Sequence, residues 1–321
     1  MQLQYFVSAV SFMINEKISY VSAENMDSKS NIWFQLFEKL QSQNLDLEDR
    51  DLSFDEGKIK DYLDKINNNE HKEIINALIK NTVYVKFSTF KQELLNAFNQ
   101  FTHQIGNNPF YIMLPEKISS SHWFVALLWN RIKQLNLQGF LNIQSKITTP
   151  INILIIDDCI YSGTEIAGMI DEFTTNNVYN DYNFHIVAPY YSEAGKASIE
   201  SMKKSEIEKM VENLPEKFKP KFINGVSNDI KYYTIHKVPT LVDITKNLDI
   251  DTYTVFGFQS NILPLIIFDH KVANSSSTYR SFYLDGKYCD SSCGLMLKNN
   301  YSREKIDQIE NLSYMSILFS K

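Results

Sequence analysis

A stretch in the middle of the chain combines an apolar run, two acids and the pattern of a helix. Four large apolar residues, Ile153–Ile156, run directly into Asp157 and Asp158. A small turn, Ser162-Gly163-Thr164, follows. Apolar residues then recur at the i, i+3, i+4, i+7 spacing of one buried helix face: Ile166, Met169, Ile170 and Phe173. This order predicts a buried parallel strand, an acidic loop and a helix N-terminus, a junction at which open α/β sheets bind ligands.

The chemistry of this junction suits a phosphorylated sugar. A helix start exposes unpaired N–H groups and attracts anions. Gly163 permits a sharp turn, and the hydroxyls of Ser162 and Thr164 can cap the helix or donate to a phosphate. Asp157 and Asp158, when ionised, suit the vicinal hydroxyls of a ribose or a hard cation such as Mg²⁺. The alternative is a buried strand followed by an ordinary capped helix.

The pattern resembles the ribose-phosphate motif of type I phosphoribosyltransferases, which joins apolar residues, an acidic pair, a short spacer and Ser/Thr-Gly. The resemblance implies that Asp157 and Asp158 hold the ribose hydroxyls of phosphoribosyl pyrophosphate, with Mg²⁺ on the diphosphate. It implies that Ser162, Gly163 and Thr164 hold the 5′-phosphate. A response-regulator receiver also opens on an acidic pair. It is disfavoured, because the next apolar run, 184–188, is not followed by a phosphoacceptor Asp.

Two positions depart from the family pattern. Tyr161 stands where the family usually has Ser, Thr, Ala, Val or Asp, so it replaces a catalytic group near the base, and Glu165 stands where the family commonly has Thr or Ser. A carboxylate suits the first turn of a helix but repels a phosphate there. We therefore carry two hypotheses. The first is an enzyme that transfers phosphoribose to a nitrogenous base. The second is a non-catalytic regulatory module on the same fold that binds phosphoribosyl pyrophosphate or a nucleotide.

A second candidate loop follows an earlier apolar run. Residues Phe110–Leu114 predict a strand buried on both faces, and an apolar helix is predicted over Trp123–Ile132. Between them lie one cation and several hydroxyls, including Lys117, Ser119 and Ser120. In the resembled family this loop binds pyrophosphate. The alternative is serine capping beside a surface lysine.

Two further segments bear on the site. After a predicted strand over 263–268, an aromatic residue, an acid and a lysine can contact a base, namely Phe268, Asp269 and Lys271. A polar surface loop is the alternative there. The resembled family carries a mobile lid before its acidic strand. The corresponding residues here, 137–150, are few, and we interpret them as a reduced lid.

The predicted fold class is α/β, with a mostly parallel five-stranded sheet flanked by helices, as in type I phosphoribosyltransferases. Amphipathic stripes predict that residues 1–80 are an N-terminal helical accessory region. Residues 81–260 are expected to form the phosphoribosyltransferase-like core, and 261–321 a C-terminal extension or hood. Within the core we also predict a charged helix over 193–214 and strands over 184–188, 231–238 and 253–258.

Composition narrows the expected partners. The net charge of −6 and the absence of a basic run argue against nucleic acid. No apolar run is long enough to span a membrane, and the run at 5–14 lacks the basic residues of a signal peptide. Three cysteines are too few for a disulfide framework, so we expect reduced thiols and a cytoplasmic location. The expected ligand is a small phosphoribosyl or nucleotide molecule, and abundant Tyr and Phe would allow a homodimer.

Overall fold

The structure is a computed structural model that describes the centre of the chain and parts of both flanks. The described residues are 33–35, 37–38, 41, 46, 49, 56–65, 67, 69–115, 120–147, 151–177, 182–201, 229–245 and 265–268. The helices are α1 (Glu56–Lys65), α2 (Asn69–Asn81), α3 (Phe87–Ile105), α4 (Ser120–Ile132), α5 (Thr164–Asn176) and α6 (Leu241–Thr245). Residues 193–201 are also helical. The strands are β1 (Val83–Val85), β2 (Phe110–Met113), β3 (Leu137–Leu141), β4 (Ile151–Ile156), β5 (Cys159–Ile160), β6 (Tyr182–Val187), β7 (Tyr190–Tyr191), β8 (Asp229–Tyr233), β9 (His236–Lys237) and β10 (Ile266–Phe268).

Five strands form a central sheet in the order β3-β2-β4-β6-β8. Every neighbouring pair in it is parallel. The inner strands β2 and β4 are largely buried on both faces, which explains why they appear in the sequence as apolar runs rather than as alternating patterns. The predicted class, an α/β protein with a five-stranded parallel sheet flanked by helices, is confirmed.

Alternate residues of the strands point to opposite faces of this sheet, and each face has its own apolar core. On one face, Leu154 and Ile156 pack with α3 and α4, including Phe101 and Phe124. On the other face, Ile153 and Ile155 pack with the apolar stripe of α5. That stripe contains Ile166, Ile170 and Phe173, as its spacing predicted, with Met169 partly buried beside it. The result is a three-layer arrangement of helices, sheet and helices.

Three strands of the sheet continue beyond a two-residue break into a second, smaller sheet. β5 follows β4, β7 follows β6 and β9 follows β8, and the three short strands pair in parallel in the order β5-β7-β9. We call this smaller sheet the upper tier. Backbone hydrogen bonds connect neighbouring strands at these breaks. For example, the Asp157 amide donates to the Val187 carbonyl oxygen at 3.0 Å. The upper tier therefore extends the carboxyl edge of the main sheet on one side only.

The described residues near the N-terminus belong to the same core as the sheet. Phe37 is fully buried, and its ring centroid lies 5.2 Å from that of Trp129 and 5.3 Å from that of Phe140. Ion pairs at the rim join Lys91 to Asp46 and Lys133 to Glu38. At the other end of the described chain, β10 pairs in parallel with β1. The boundaries predicted at residues 80 and 260 stay predictions.

Most strands and helices predicted around the site are confirmed, with two corrections. The strand predicted over 231–238 is interrupted, because residues 229–233 form β8 and residues 236–237 form β9 of the upper tier. The reduced lid over 137–150 is wrong for its first part, because Leu137–Leu141 is the edge strand β3. Gln138 and Gly139 interrupt the apolar run, which hides the strand in the sequence. The predicted strand over 253–258 and the end of the predicted helix over 193–214 lie outside the described residues.

Candidate functional site

The strand order reverses between β2 and β4, and at such a reversal open α/β sheets form a crevice at the carboxyl edge. From β2 the chain passes through α4 to β3 on one side, whereas from β4 it passes through α5 to β6 on the other side. The two helices lie on opposite faces. Open α/β sheets bind ligands at such a reversal, outside the carboxyl ends of the strands. The two loops singled out in the sequence, after β2 and after β4, therefore follow the two adjacent strands that border this crevice.

The acidic pair at the end of β4 is asymmetric. The Asp157 side chain is half-buried, and its Oδ1 accepts a hydrogen bond from the Asp158 amide at 2.8 Å. Asp158 is 0% exposed because it lies at the junction between β4 and the buried upper-tier strand β5. A ligand in the crevice can therefore reach Asp157, whereas Asp158 is covered by protein.

The turn after β5 presents polar groups at the start of α5. Gly163 occupies the N-cap position with φ of 73° and has no side chain to cap the helix. The Ser162 hydroxyl accepts a long hydrogen bond from the Thr164 amide at 3.4 Å. The Ser162 hydroxyl donates to Thr164 Oγ1 at 3.1 Å, and Thr164 is exposed. The dipole of a 13-residue helix favours an anion at this end. Glu165, in the first turn, is exposed to solvent.

Tyr161 and Phe268 are more strongly engaged in packing than the sequence suggested. Tyr161 is half-buried and packs against the apolar core on the α3 and α4 face. Phe268 is 2% exposed, and its ring makes edge contacts with Phe90 and Tyr190 at 5.6 and 5.2 Å. Its predicted stacking on a base would require this packing to open.

Of the residues predicted in the loop after β2, Ser120 is described. It is the first residue of α4 and is buried. The remaining predicted contacts lie outside the described residues: Lys117, Ser119, Asp269 and Lys271. Their roles stay predictions.

The described part of the segment between β3 and β4 is fixed rather than lid-like. Asn177, just past α5, accepts a hydrogen bond from the Ile147 amide at 2.9 Å and donates to the carbonyl oxygen of Ser145 at 2.9 Å. The Lys146 ammonium donates to the carbonyl oxygen of Asn176 at 2.8 Å. These bonds attach residues 145–147 to the C-terminal end of α5, where they cannot close over the carboxyl edge.

A second polar group at the carboxyl edge was missed in the sequence. His236 of β9 lies with its Nε2 3.4 Å from Glu93 Oε1 of α3, and its ring stacks on Tyr190 at 5.1 Å. Burial, with a smaller contribution from Glu93, raises the pKa of Tyr190 to about 12. These residues come from three distant parts of the chain, so no local pattern could have connected them.

Comparison of the chain with protein-family models, curated proteins and solved structures finds no match. Among the described residues, no three His, Cys, Asp or Glu side chains group closely enough to hold a metal ion. Nor is any described helix both long and apolar enough to cross a membrane. A function for the crevice must therefore be argued from its own geometry.

Proposed function

We propose that the protein binds phosphoribosyl pyrophosphate or a nucleotide in the crevice between the carboxyl ends of β2 and β4. One observation carries the proposal: a half-buried carboxylate and a helix start with glycine at its N-cap follow the same strand, at the reversal of strand order. Asp157 would accept hydrogen bonds from the ribose hydroxyls. The turn Ser162–Thr164 would hold the 5′-phosphate.

The rest of the ligand would meet the neighbouring loops. Lys117 would lie beside the diphosphate, with Mg²⁺ bound to that diphosphate, because it follows the adjacent strand β2. The base would extend toward the residues after β10 or toward the His236–Glu93 pair. His236 and Glu93 offer hydrogen bonds to a heterocycle at the carboxyl edge.

If the ligand reacts, the step is transfer of the phosphoribosyl group to a nitrogen of a base. The base nitrogen forms a bond to C1′ as the bond from C1′ to the pyrophosphate oxygen breaks. Pyrophosphate leaves with that electron pair, and the base loses its nitrogen-bound proton to solvent. The chain would contribute position and charge stabilisation around an oxocarbenium-like transition state. Asp157 would fix the ribose, and the amides of the turn would fix the phosphate.

A second candidate is binding of the same ligand without turnover. Two observations favour it. Asp158 is fully covered, so the ribose meets one accessible carboxylate rather than two, and residues 145–147 are tied to α5 instead of being available to exclude water. A reactive glycosyl cation in an open crevice would be captured by water.

The binding proposal is tested by titration calorimetry with phosphoribosyl pyrophosphate and Mg²⁺. Asp157→Asn should weaken binding about 10- to 100-fold, the range expected for hydrogen bonds to a charged group. The matched control is Asp229→Asn, which makes the same change at the opposite edge of the sheet and should bind like the wild type. If the wild type bound neither phosphoribosyl pyrophosphate nor a nucleotide, the proposal would be overturned.

Turnover separates the two candidates. Release of pyrophosphate from the bound ligand in the presence of a panel of purine and pyrimidine bases would establish the transferase. Tight binding with no release for any base would establish the binding module.

A further inference from the structure

Two glycines bring the turn before α5 into direct contact with the helical residues 193–201. Gly163 has a positive φ, and a Cβ there would overlap the carbonyl oxygen of Gly195 and lie 2.9 Å from Ile199 Cγ1. A Cβ on Gly195 would overlap the carbonyl oxygen of Tyr161 and lie 2.9 Å from that of Ile160. Real Cβ atoms do not approach so closely. Each position therefore requires glycine for the backbones to meet as they do.

Ser192 joins the same two segments by hydrogen bonds. Its amide donates to the Ile160 carbonyl oxygen at 2.9 Å, and its hydroxyl donates to the Tyr161 carbonyl oxygen. The same hydroxyl accepts from the Gly195 amide at 2.8 Å, as a serine at a helix start commonly does. Ser192 is fully buried. One side chain thus caps the helical segment and ties it to the turn.

The helical segment is itself anchored to the upper tier. The Lys196 ammonium lies 3.7 Å from the ring centroid of Tyr191 and donates to Thr234 Oγ1 at 3.0 Å. Burial lowers the pKa of Lys196, while Glu193 and Glu200 favour its charged form. The contacts to β7 and to the break between β8 and β9 make residues 193–201 a fixed support.

We propose that Ser192 and Gly195 are positioning residues, which hold residues 161–164 in the conformation that binds the phosphate. The inference rests on the proposed function, since it assigns a role within the same site. Backbone amides and hydroxyls bind an anion well when they are arranged in advance, because no free energy is then spent on ordering them. Neither residue needs to touch the ligand.

Gly195→Ala tests this role, with Gly168→Ala as its matched control. Both glycines are helical, and alanine favours a helix over glycine by about 1 kcal/mol. A Cβ on Gly168 of α5 meets nothing within 4 Å, whereas one on Gly195 meets the carbonyl oxygen of Tyr161. Three quantities are measured in each variant: amide exchange of residues 161–164 without ligand, affinity for phosphoribosyl pyrophosphate with Mg²⁺, and the urea midpoint of unfolding.

We expect Gly195→Ala to accelerate exchange in residues 161–164 and to weaken binding at least about tenfold, the effect of losing one charge-assisted hydrogen bond. Its unfolding midpoint should also fall, because the Cβ meets a backbone carbonyl oxygen that has to shift, so the exchange of residues 161–164 is the direct measure of the turn. Gly168→Ala should change neither exchange nor affinity. Ser192→Ala should resemble Gly195→Ala, and Ser192→Thr, which keeps the hydroxyl, should restore binding.

The results that would overturn the positioning role are separate from those that would overturn the proposed function. Unchanged exchange and affinity in Gly195→Ala would remove the role of residues 192 and 195. So would equal losses in Gly168→Ala. Absence of binding by the wild type would instead overturn the proposed function, and the exchange of residues 161–164 would still decide whether Gly195 holds the turn.

Discussion

Acidification is expected to destabilise the protein through one buried histidine. His185 lies within β6 at 2% exposure, with Nδ1 2.8 Å from the Tyr233 hydroxyl and Nε2 3.3 Å from Asn152 Oδ1. The Asn152 amide nitrogen donates to the carbonyl oxygen of Pro109, which fixes its Oδ1 as an acceptor. His185 Nε2 must then carry the proton, and Nδ1 accepts from the tyrosine. The neutral ring satisfies both partners, whereas the imidazolium requires the Tyr233 hydroxyl to turn its proton away and accept instead.

The size of the effect follows from the pKa. Burial, with a smaller contribution from Lys231, lowers the pKa of His185 from 6.5 to about 4. Above pH 6.5 both folded and unfolded chains are neutral at this residue, and its contribution to stability is complete. Between pH 6.5 and 4 only the unfolded chain takes up the proton, so the free energy of unfolding falls by about 1.4 kcal/mol per pH unit. The total loss is about 3 kcal/mol.

Urea unfolding followed by circular dichroism from pH 7 to pH 4.5 measures this loss. Because carboxylates also titrate in this range, the wild type is compared with His185→Gln, which keeps an amide donor but does not titrate. The stability advantage of the wild type at pH 7 should shrink by about 2.5 kcal/mol as the pH falls to 4.5. A difference independent of pH would refute the reasoning, as would an NMR titration that places the histidine midpoint near 6.5.

Two other changes test the core and the helix start. Phe37→Ala should lower the free energy of unfolding by about 3 to 5 kcal/mol, because the ring is fully buried between Trp129 and Phe140. A loss below about 1 kcal/mol in urea unfolding would show that this aromatic contact contributes little to the core. Glu165→Gln removes an exposed negative charge beside the proposed phosphate, so the affinity for phosphoribosyl pyrophosphate should rise about two- to fivefold, while the helix loses up to about 1 kcal/mol of dipole stabilisation. Unchanged affinity in calorimetry would mean that no phosphate lies at the start of α5.

The sequence predicts best where local pattern and burial agree. The strand β4 and the helix α5 were predicted correctly because the apolar run and the helical spacing are both uninterrupted. The short strand β5 between them was predicted as a loop. β3 was not predicted, because Gly139 and Gln138 break its run. The helix α3 was not predicted either, although Phe90, Leu94 and Phe101 lie on one face at helical spacing.

The candidate site was less predictable than the fold, because its character depends on contacts between distant segments. Two adjacent acids after a strand suggest two exposed carboxylates, yet the upper tier buries Asp158. Gly163 suggests a close approach to a ligand, whereas its missing side chain makes room for Gly195. The sequence around Asp158 and Gly163 gives no indication that distant segments cover these two residues.

The pairing of β1 with β10 constrains how the chain can fold during synthesis. All five strands of the main sheet lie between these two strands in the sequence. Residue 268 must therefore be synthesised before the Phe268 ring can pack against Phe90 and Tyr190. Until then a nascent chain carries a nearly complete sheet with an uncovered aromatic surface, the kind of intermediate that aggregates. A fragment that stops at residue 260 would remain in that state permanently.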